Sequence, residues 1–216
     1  GVVLVPTLVP RVNTQNVGAI VRFALSLLPA VRGVHFQPVS YFGRYPEPPS
    51  NADRVTIPEV IGALVEQTAG LVQESHFKPG ESEHPACSFH GNFLLMPDGQ
   101  LMPLTRREPR SCCQAGAAPA GAARDFVARQ WSVPRGETGS ERGRTPGHGS
   151  WDDLLARLRT HSFCISGMAF QDAWNLDLER LRDCHVHFSA SGGRVVPFCA
   201  YNLTSTAGQS LYRDGG

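Results

Sequence analysis

The stretch VVLVPTLVPRVNTQNVGAIVRFAL, residues 2–25, decides how the chain must be built. Its first part, VVLVPTLV (2–9), is apolar on both faces, the pattern of a buried parallel strand. Thr14 is placed to cap a helix, and Val17, Ile20, Val21, Ala24, Leu25 and Leu28 then recur at helical spacing until Pro29. GVHFQPVSYFG, residues 33–43, reads as a second strand and completes a βαβ unit, whose crossover is almost always right-handed. Beyond the proline-rich EPPSNAD, Thr56-Ile57-Pro58-Glu59 makes a capping box with proline in the first turn. Val60, Ile61, Leu64, Val65 and Leu71 give that second helix its buried stripe. Two parallel strands cannot cover their own faces. The expected fold is therefore α/β, with residues 1–80 the closing βα units of a larger parallel sheet or barrel, cut from an N-terminal half.

The composition sets outer limits. The chain has 216 residues, enough for one large domain or two small ones, and 41% of them are hydrophobic, as in ordinary globular proteins. A net charge of +1 gives no case for a nucleic-acid or membrane-surface partner. No apolar run reaches the length of a membrane span. No signal peptide opens the chain, so a cytoplasmic, reducing setting is expected, where paired cysteines lean toward metal or redox roles. An initiator methionine is lacking, which fits part of a longer protein.

After about residue 80 the pattern changes, and residues 81–216 are expected to form a smaller α+β unit of hairpins and short helices. NFLLMPDGQLMPLT, 92–105, reads as a hairpin turning at Asp98-Gly99. Residues 106–149 are rich in Arg, Gly, Ala and Pro and read as a flexible insertion, with FVARQW (126–131) a short ordered piece. Ser150 is placed to cap a helix carrying Leu154, Leu155 and Leu158, and Asn175 to cap another, LDLERLRDC. That helix feeds into DCHVHFSASGGRVVPFCAYN, residues 183–202. A two-residue turn at Ser191-Gly192 would set Ala190 against Gly193 and bring Cys184 opposite Cys199 on one face, with His185 and His187 on the other. Laying Gly99 on Gly193 matches the two hairpins residue by residue, with His90 on Cys184 and Thr105 on Cys199; this reads as an internal duplication.

Several residues could carry chemistry. HPACSFHGN offers His84, Cys87 and His90, either as ligands around a turn or as a buried thiol and loop caps. The Cys184/Cys199 pair suits zinc, mononuclear iron or an iron–sulfur cluster; a cross-strand disulfide and two packed thiols are its rivals. Cys164 reads as a structural thiol or a further ligand, and Cys112-Cys113 as a vicinal pair without a structural role. Asn13 and Gln37 lie near the carboxyl ends of the two expected strands, where parallel sheets bind ligands, and are the candidate cofactor-binding residues; a helix-entry turn explains Asn13 as well. QDAWN, 171–175, could line a pocket or serve capping and packing. P-loop, GxGxxG, HExxH and GxSxG motifs are absent.

Beyond these readings, VVLVPTLVPRVNTQNVGAIVRFAL and VRGVHFQPVSYFGRYP resemble the later βα units of a radical S-adenosylmethionine (SAM) enzyme barrel. DGQLMPLT and GGRVVPFC are similar to the auxiliary-cluster hairpins that follow such barrels. EHPACSFHGNFLLMPDGQLMPLT and RTHSFCISGMAFQDAWNLDLERLRDCHVHF resemble a branch holding tetraether lipid synthases, a pterin-pathway methylase and TrsS-type radical SAM (seleno)proteins, with the TrsS type nearest. The resemblance covers most of the chain outside 106–150. It implies a soluble enzyme with a SAM-binding [4Fe–4S] cluster and further iron sites in its C-terminal part. The CxxxCxxC motif that binds the SAM cluster is absent here, so the chain is expected to be a C-terminal portion, inactive alone, that helps hold SAM and substrate. Cys87, Cys184 and Cys199 then match auxiliary [4Fe–4S] or iron positions, with Cys164, His90 or cysteines of the missing half completing the shell. A non-catalytic zinc-stabilised module and a degenerate relic are the alternatives.

Overall fold

The computed structural model describes residues 1–43, 45–80, 84–105, 128 and 151–213. Cys112, Cys113, Ser150 and, Ala128 apart, the 106–149 insertion lie outside the described residues.

Two short strands, β1 (Val2–Leu4) and β2 (Thr7–Leu8), stand where one was expected. Pro6 lies in the break, and proline has no N–H to give a strand ladder. Both pieces run parallel to β3 (Val31–Pro38), Val3 beside Gly33 and Thr7 beside Gln37. The expected burial is only partly met. β1 is an edge strand of the sheet among the described residues, and Val2, with Val5 just beyond the strand, is 53% exposed. β3 starts and ends earlier than the sequence implied, closing at Pro38.

Between β2 and β3 runs α1 (Val17–Ser26), and after β3 comes α2 (Ile57–Gln67). Thr14 does not cap α1. It opens a 3-10 turn (Thr14–Asn16) that leads in from Asn13. The capping box at Thr56 and Glu59 forms as expected: each side chain meets the other's backbone N–H, with Pro58 in the first turn. Val17, Val21 and Ala24 of α1 and Val60 and Leu64 of α2 share a core with Val34 and Phe36 of β3.

The sheet then continues across residue 80. β4 (Ser88–Leu95) and β5 (Leu101–Pro103) form the first hairpin, and α3 (Trp151–Thr160) leads into β6 (Ser162–Met168). β6 lies parallel to β3, and β4 antiparallel to β6, giving the order β1-β3-β6-β4-β5 with β2 also on β3. The chain is thus mixed α/β. Along β6, Phe163, Ile165 and Gly167 are buried while Ser162, Cys164, Ser166 and Met168 are half-buried, the period-two alternation of a strand with one face on the core. Gly167 is fixed by space, since a Cβ there would sit 2.8 Å from the Phe36 carbonyl oxygen.

The C-terminal segment adds α4 (Leu178–Arg182), a separate hairpin of β7 (His187–Ala190) and β8 (Arg194–Pro197), and a helical turn α5 (Phe198–Tyr201). Asp177, not Asn175, caps α4, accepting from the N–H groups of Glu179 and Arg180. An aromatic cluster fastens this segment to the sheet. Phe198 sits 4.4 Å from Phe170, after β6, and 5.9 Å from Phe42, after β3, and Phe188 stacks on Tyr201 at 4.5 Å.

A close helix contact gives a direct test of the packing. A Cβ at Gly18 of α1 would fall 2.4 Å from the Gln67 carbonyl oxygen of α2, whereas a Cβ at Gly62 of α2 would meet nothing within 4 Å. Gly18→Ala should cost about 1–3 kcal/mol and lower the melting temperature by roughly 2–12 °C. Gly62→Ala should stabilise by about 0.5–1 kcal/mol. Thermal unfolding of the two variants would contradict this packing if both moved the same way.

Candidate metal centre

Of the three cysteines expected to share a site, Cys87 and Cys199 are each bonded to the exit from β6. Ala169, just past β6, donates its N–H to the Cys87 carbonyl at 2.9 Å. Two residues on, the Gln171 N–H donates to the Cys199 thiol at 3.2 Å. Cys184 arrives beside Cys199 by another route. The Val186 carbonyl accepts from the Cys184 thiol at 3.2 Å and from the Phe198 N–H at 2.8 Å, and Cys199 follows Phe198. Burial pushes the Cys199 thiol's pKa up, the Gln171 N–H draws it down, and the neighbouring Cys184 and Cys87 raise it further. Cys87, Cys184, Cys199 and Cys164 are all free thiols.

The expected register of the second hairpin is corrected by one residue. Ala190 pairs with Arg194, and Ser191–Gly193 forms a three-residue turn with Gly192 and Gly193 at φ of 70° and 73°. Cys184 therefore does not lie opposite Cys199 across a ladder. It precedes β7, and Cys199 lies in α5. The physical reason is the turn: three residues ending on a left-handed glycine suit a hairpin as well as two do, and each added residue moves every pairing. The same build appears in the first hairpin. Leu95 pairs with Leu101, Leu94 with Met102 and Phe93 with Pro103, around Met96–Gln100 with Gly99 at φ 85°. Laid on the second hairpin by Gly99 onto Gly193, these become Ser189–Val195, Phe188–Val196 and His187–Pro197, all of them observed pairs. The ligand-capable ends differ. The Thr105 hydroxyl accepts from the Asn92 N–H at 2.8 Å, at the position equivalent to Cys199.

Cys164 stands apart. It lies on β6 between Gly33 and Asn92, five residues before Ala169, and burial raises its thiol to a pKa of about 11 against a hydrogen bond from Ser166. Asn13 has both ends of its amide on the main chain, accepting from the Val9 N–H and donating to the Thr7 carbonyl, each at 2.8 Å. Gln37 shares with His35 the sheet face opposite α1 and α2, where the His35 Nδ1 lies 3.0 Å from the Ser166 hydroxyl. His84 stays local: its Nδ1 accepts from the Ala86 N–H and its carbonyl from the Cys87 N–H. His185 and His187 are exposed.

Two residues that sequence reasoning passed over organise the site. Arg180 of α4 donates from Nε to the Cys87 sulfur at 3.4 Å and from Nη2 to the Ala169 carbonyl at 3.0 Å. Its sulfur partner lies 93 residues away in the chain, so no local spacing signals the contact. Arg54 holds the fully buried Asp172 side chain with two parallel bonds of 2.9 Å. Asp172 also accepts from the N–H groups of Tyr41 and Trp174. QDAWN is thus a structural knot beside the thiols. Burial works against ionisation of Asp172, but Arg54 and the two N–H groups outweigh it and hold its pKa below the usual carboxylate range.

Among the described residues no three His, Cys, Asp or Glu are grouped tightly enough to hold a metal ion. A single zinc with Zn–S bonds of ~2.3 Å would bring its thiolates to within about 4 Å of one another. Cys184 and Cys87 lie near enough to Cys199 to act on its charge.

A mixed α/β frame with thiols gathered at the exit of its central strand is the class these features define. No family model matches the chain. It is similar to 7,8-dihydro-6-hydroxymethylpterin dimethyltransferase of Methanocaldococcus jannaschii, with 30% identity over 241 aligned residues, 93% of this chain and 48% of that protein. The chain therefore spans about half the length of this relative. The likeness supports the radical SAM resemblance and does not single out the TrsS type. No helix among the described residues is long and apolar enough to cross a membrane.

The Asp172 knot yields a pH test. Its depressed pKa stabilises the fold above the unfolded carboxylate pKa of roughly 3.9 and is lost as pH falls through the folded value. Arg54→Met leaves the carboxylate buried without its charge partner and should cost about 3–5 kcal/mol at neutral pH. The deficit should narrow toward pH 4, where protonation relieves the stranded charge. Denaturant titrations at both pH values check this; a deficit that does not change with pH would contradict the charge pairing.

Proposed function

We propose that this chain is the C-terminal portion of a radical SAM iron–sulfur enzyme. In this reading residues 1–80 supply closing βα units of the barrel and 81–216 an auxiliary-site unit. Cys87, Cys184 and Cys199 hold an auxiliary iron–sulfur cluster. The observation that carries it is the meeting of these thiols from three separate parts of the chain beside Arg180, a cation with no carboxylate within ion-pair distance among the described residues.

The donor set fits the group. Soft thiolates select iron–sulfur clusters as well as zinc. The zinc-stabilised module shares this donor set, and metal analysis separates the two. When bound, such a cluster supplies one-electron transfer or an anchor for substrate. The chain's own part is to hold the sulfurs at the exit of β6, with the Gln171 N–H on Cys199 and Arg180 on Cys87. Completion of the shell, SAM binding and the radical chemistry belong to the missing barrel half, in a cytoplasmic enzyme with Gln37 and Asn13 near the SAM or substrate pocket. The relative's name makes methyl transfer to a pterin the reaction to test first.

Anaerobic reconstitution with iron and sulfide is the direct experiment. The protein should turn brown, bind iron in preference to zinc and give an iron–sulfur EPR signal after reduction. Cys87→Ala, Cys184→Ala and Cys199→Ala should each lose most of the iron, while Cys164→Ala should keep it. A colourless wild-type protein, or zinc bound without iron, would overturn the proposal.

A further inference from the structure

Arg180 is tied into its place more firmly than a surface arginine. The Asp177 carboxylate caps its helix, and the Asp177 N–H is held in turn by the buried Gln171 side chain at 2.5 Å. The same Gln171 presents its own N–H to Cys199. One residue thus fixes both the helix that carries the guanidinium and one of the thiols. The guanidinium splits its donors between the Cys87 sulfur and the Ala169 carbonyl, and Cys199 also feels its charge. Planar donors in a fixed fork are suited to aiming at one acceptor.

We propose that Arg180 is a positioning residue of the auxiliary site, orienting the Cys87 sulfur and raising the reduction potential of the iron–sulfur cluster that the three thiolates hold. The inference rests on the cluster reading given under Proposed function. One-electron reduction adds negative charge to the cluster. A nearby cation and an N–H···S hydrogen bond both stabilise that added charge, and hydrogen bonds to the sulfurs are among the controls of cluster potential.

The test is a redox titration of the reconstituted protein with dithionite as the electron source, followed by EPR, with iron measured in each sample. Arg180→Gln should bind as much iron as wild type and be reduced only at a lower potential. Arg180→Lys keeps the charge without the Nε–H and should fall between the two. Arg182→Gln, two residues along the same helix and exposed, should keep the wild-type potential. A wild-type potential in Arg180→Gln at full iron content overturns the inference and leaves the cluster reading standing. If Arg180→Gln fails to fold, Arg180→Met decides, and an unshifted potential in it at full iron content overturns the inference equally. A wild-type protein that takes up no iron sinks the cluster reading instead.

Discussion

A carboxylate taken out of water must meet its counter-charge inside the fold, and Asp172 meets Arg54. Arg54 comes from the loop after β3 and Asp172 from the loop after β6, so their two parallel bonds join the ends of the central strands. Everything at the thiol site hangs from that junction. Gln171, the preceding residue, bonds Cys199 on one side and the cap of α4 on the other. Ala169, two residues before Gln171, holds the Cys87 backbone and receives Arg180. Ala169 and Gln171, on the same short stretch as Asp172, therefore hold both cysteines and the guanidinium. A buried ion pair adds little net stability over an apolar one, but it tolerates few alternative arrangements.

The thiols reach this junction by different means. Cys87 lies just ahead of β4, which is locked to β6 by a seven-pair ladder. Cys199 rides on α5, pressed down by the Phe42, Phe170 and Phe198 rings. Cys184 is the least enclosed and depends on one carbonyl, that of Val186. Rigid support thus falls off from Cys87 to Cys184.

The βαβ unit, the α2 capping box and both hairpins were legible in the sequence, because each rests on local rules of spacing, proline and glycine. The burial of the first strand was not: its composition promises cover on both sides, and only β3 supplies a neighbour. Caps were misplaced where several polar residues compete. Asn175 bonds the Asp172 N–H, leaving Asp177 to close α4. The register of the second hairpin was missed by one residue, because Ser191-Gly192-Gly193 admits a two- or a three-residue turn and local rules do not choose between them. An expectation that Cys87, Cys184 and Cys199 would meet was drawn from the resemblance and the duplication. The roles of Arg54, Gln171 and Arg180 were not, because such contacts join residues far apart in sequence and leave no periodic trace.

The two hairpins share their pairings and their bend yet end differently, on Thr105 in one and Cys199 in the other. The strands around them do not depend on which side chain occupies that corner. A repeated frame with unequal corners separates scaffold from chemistry: one copy is free to drift toward a purely mechanical role while its twin retains a sulfur. A thiol at such a corner can in this way be given up or regained by exchange of a single side chain, with no change in how the chain folds.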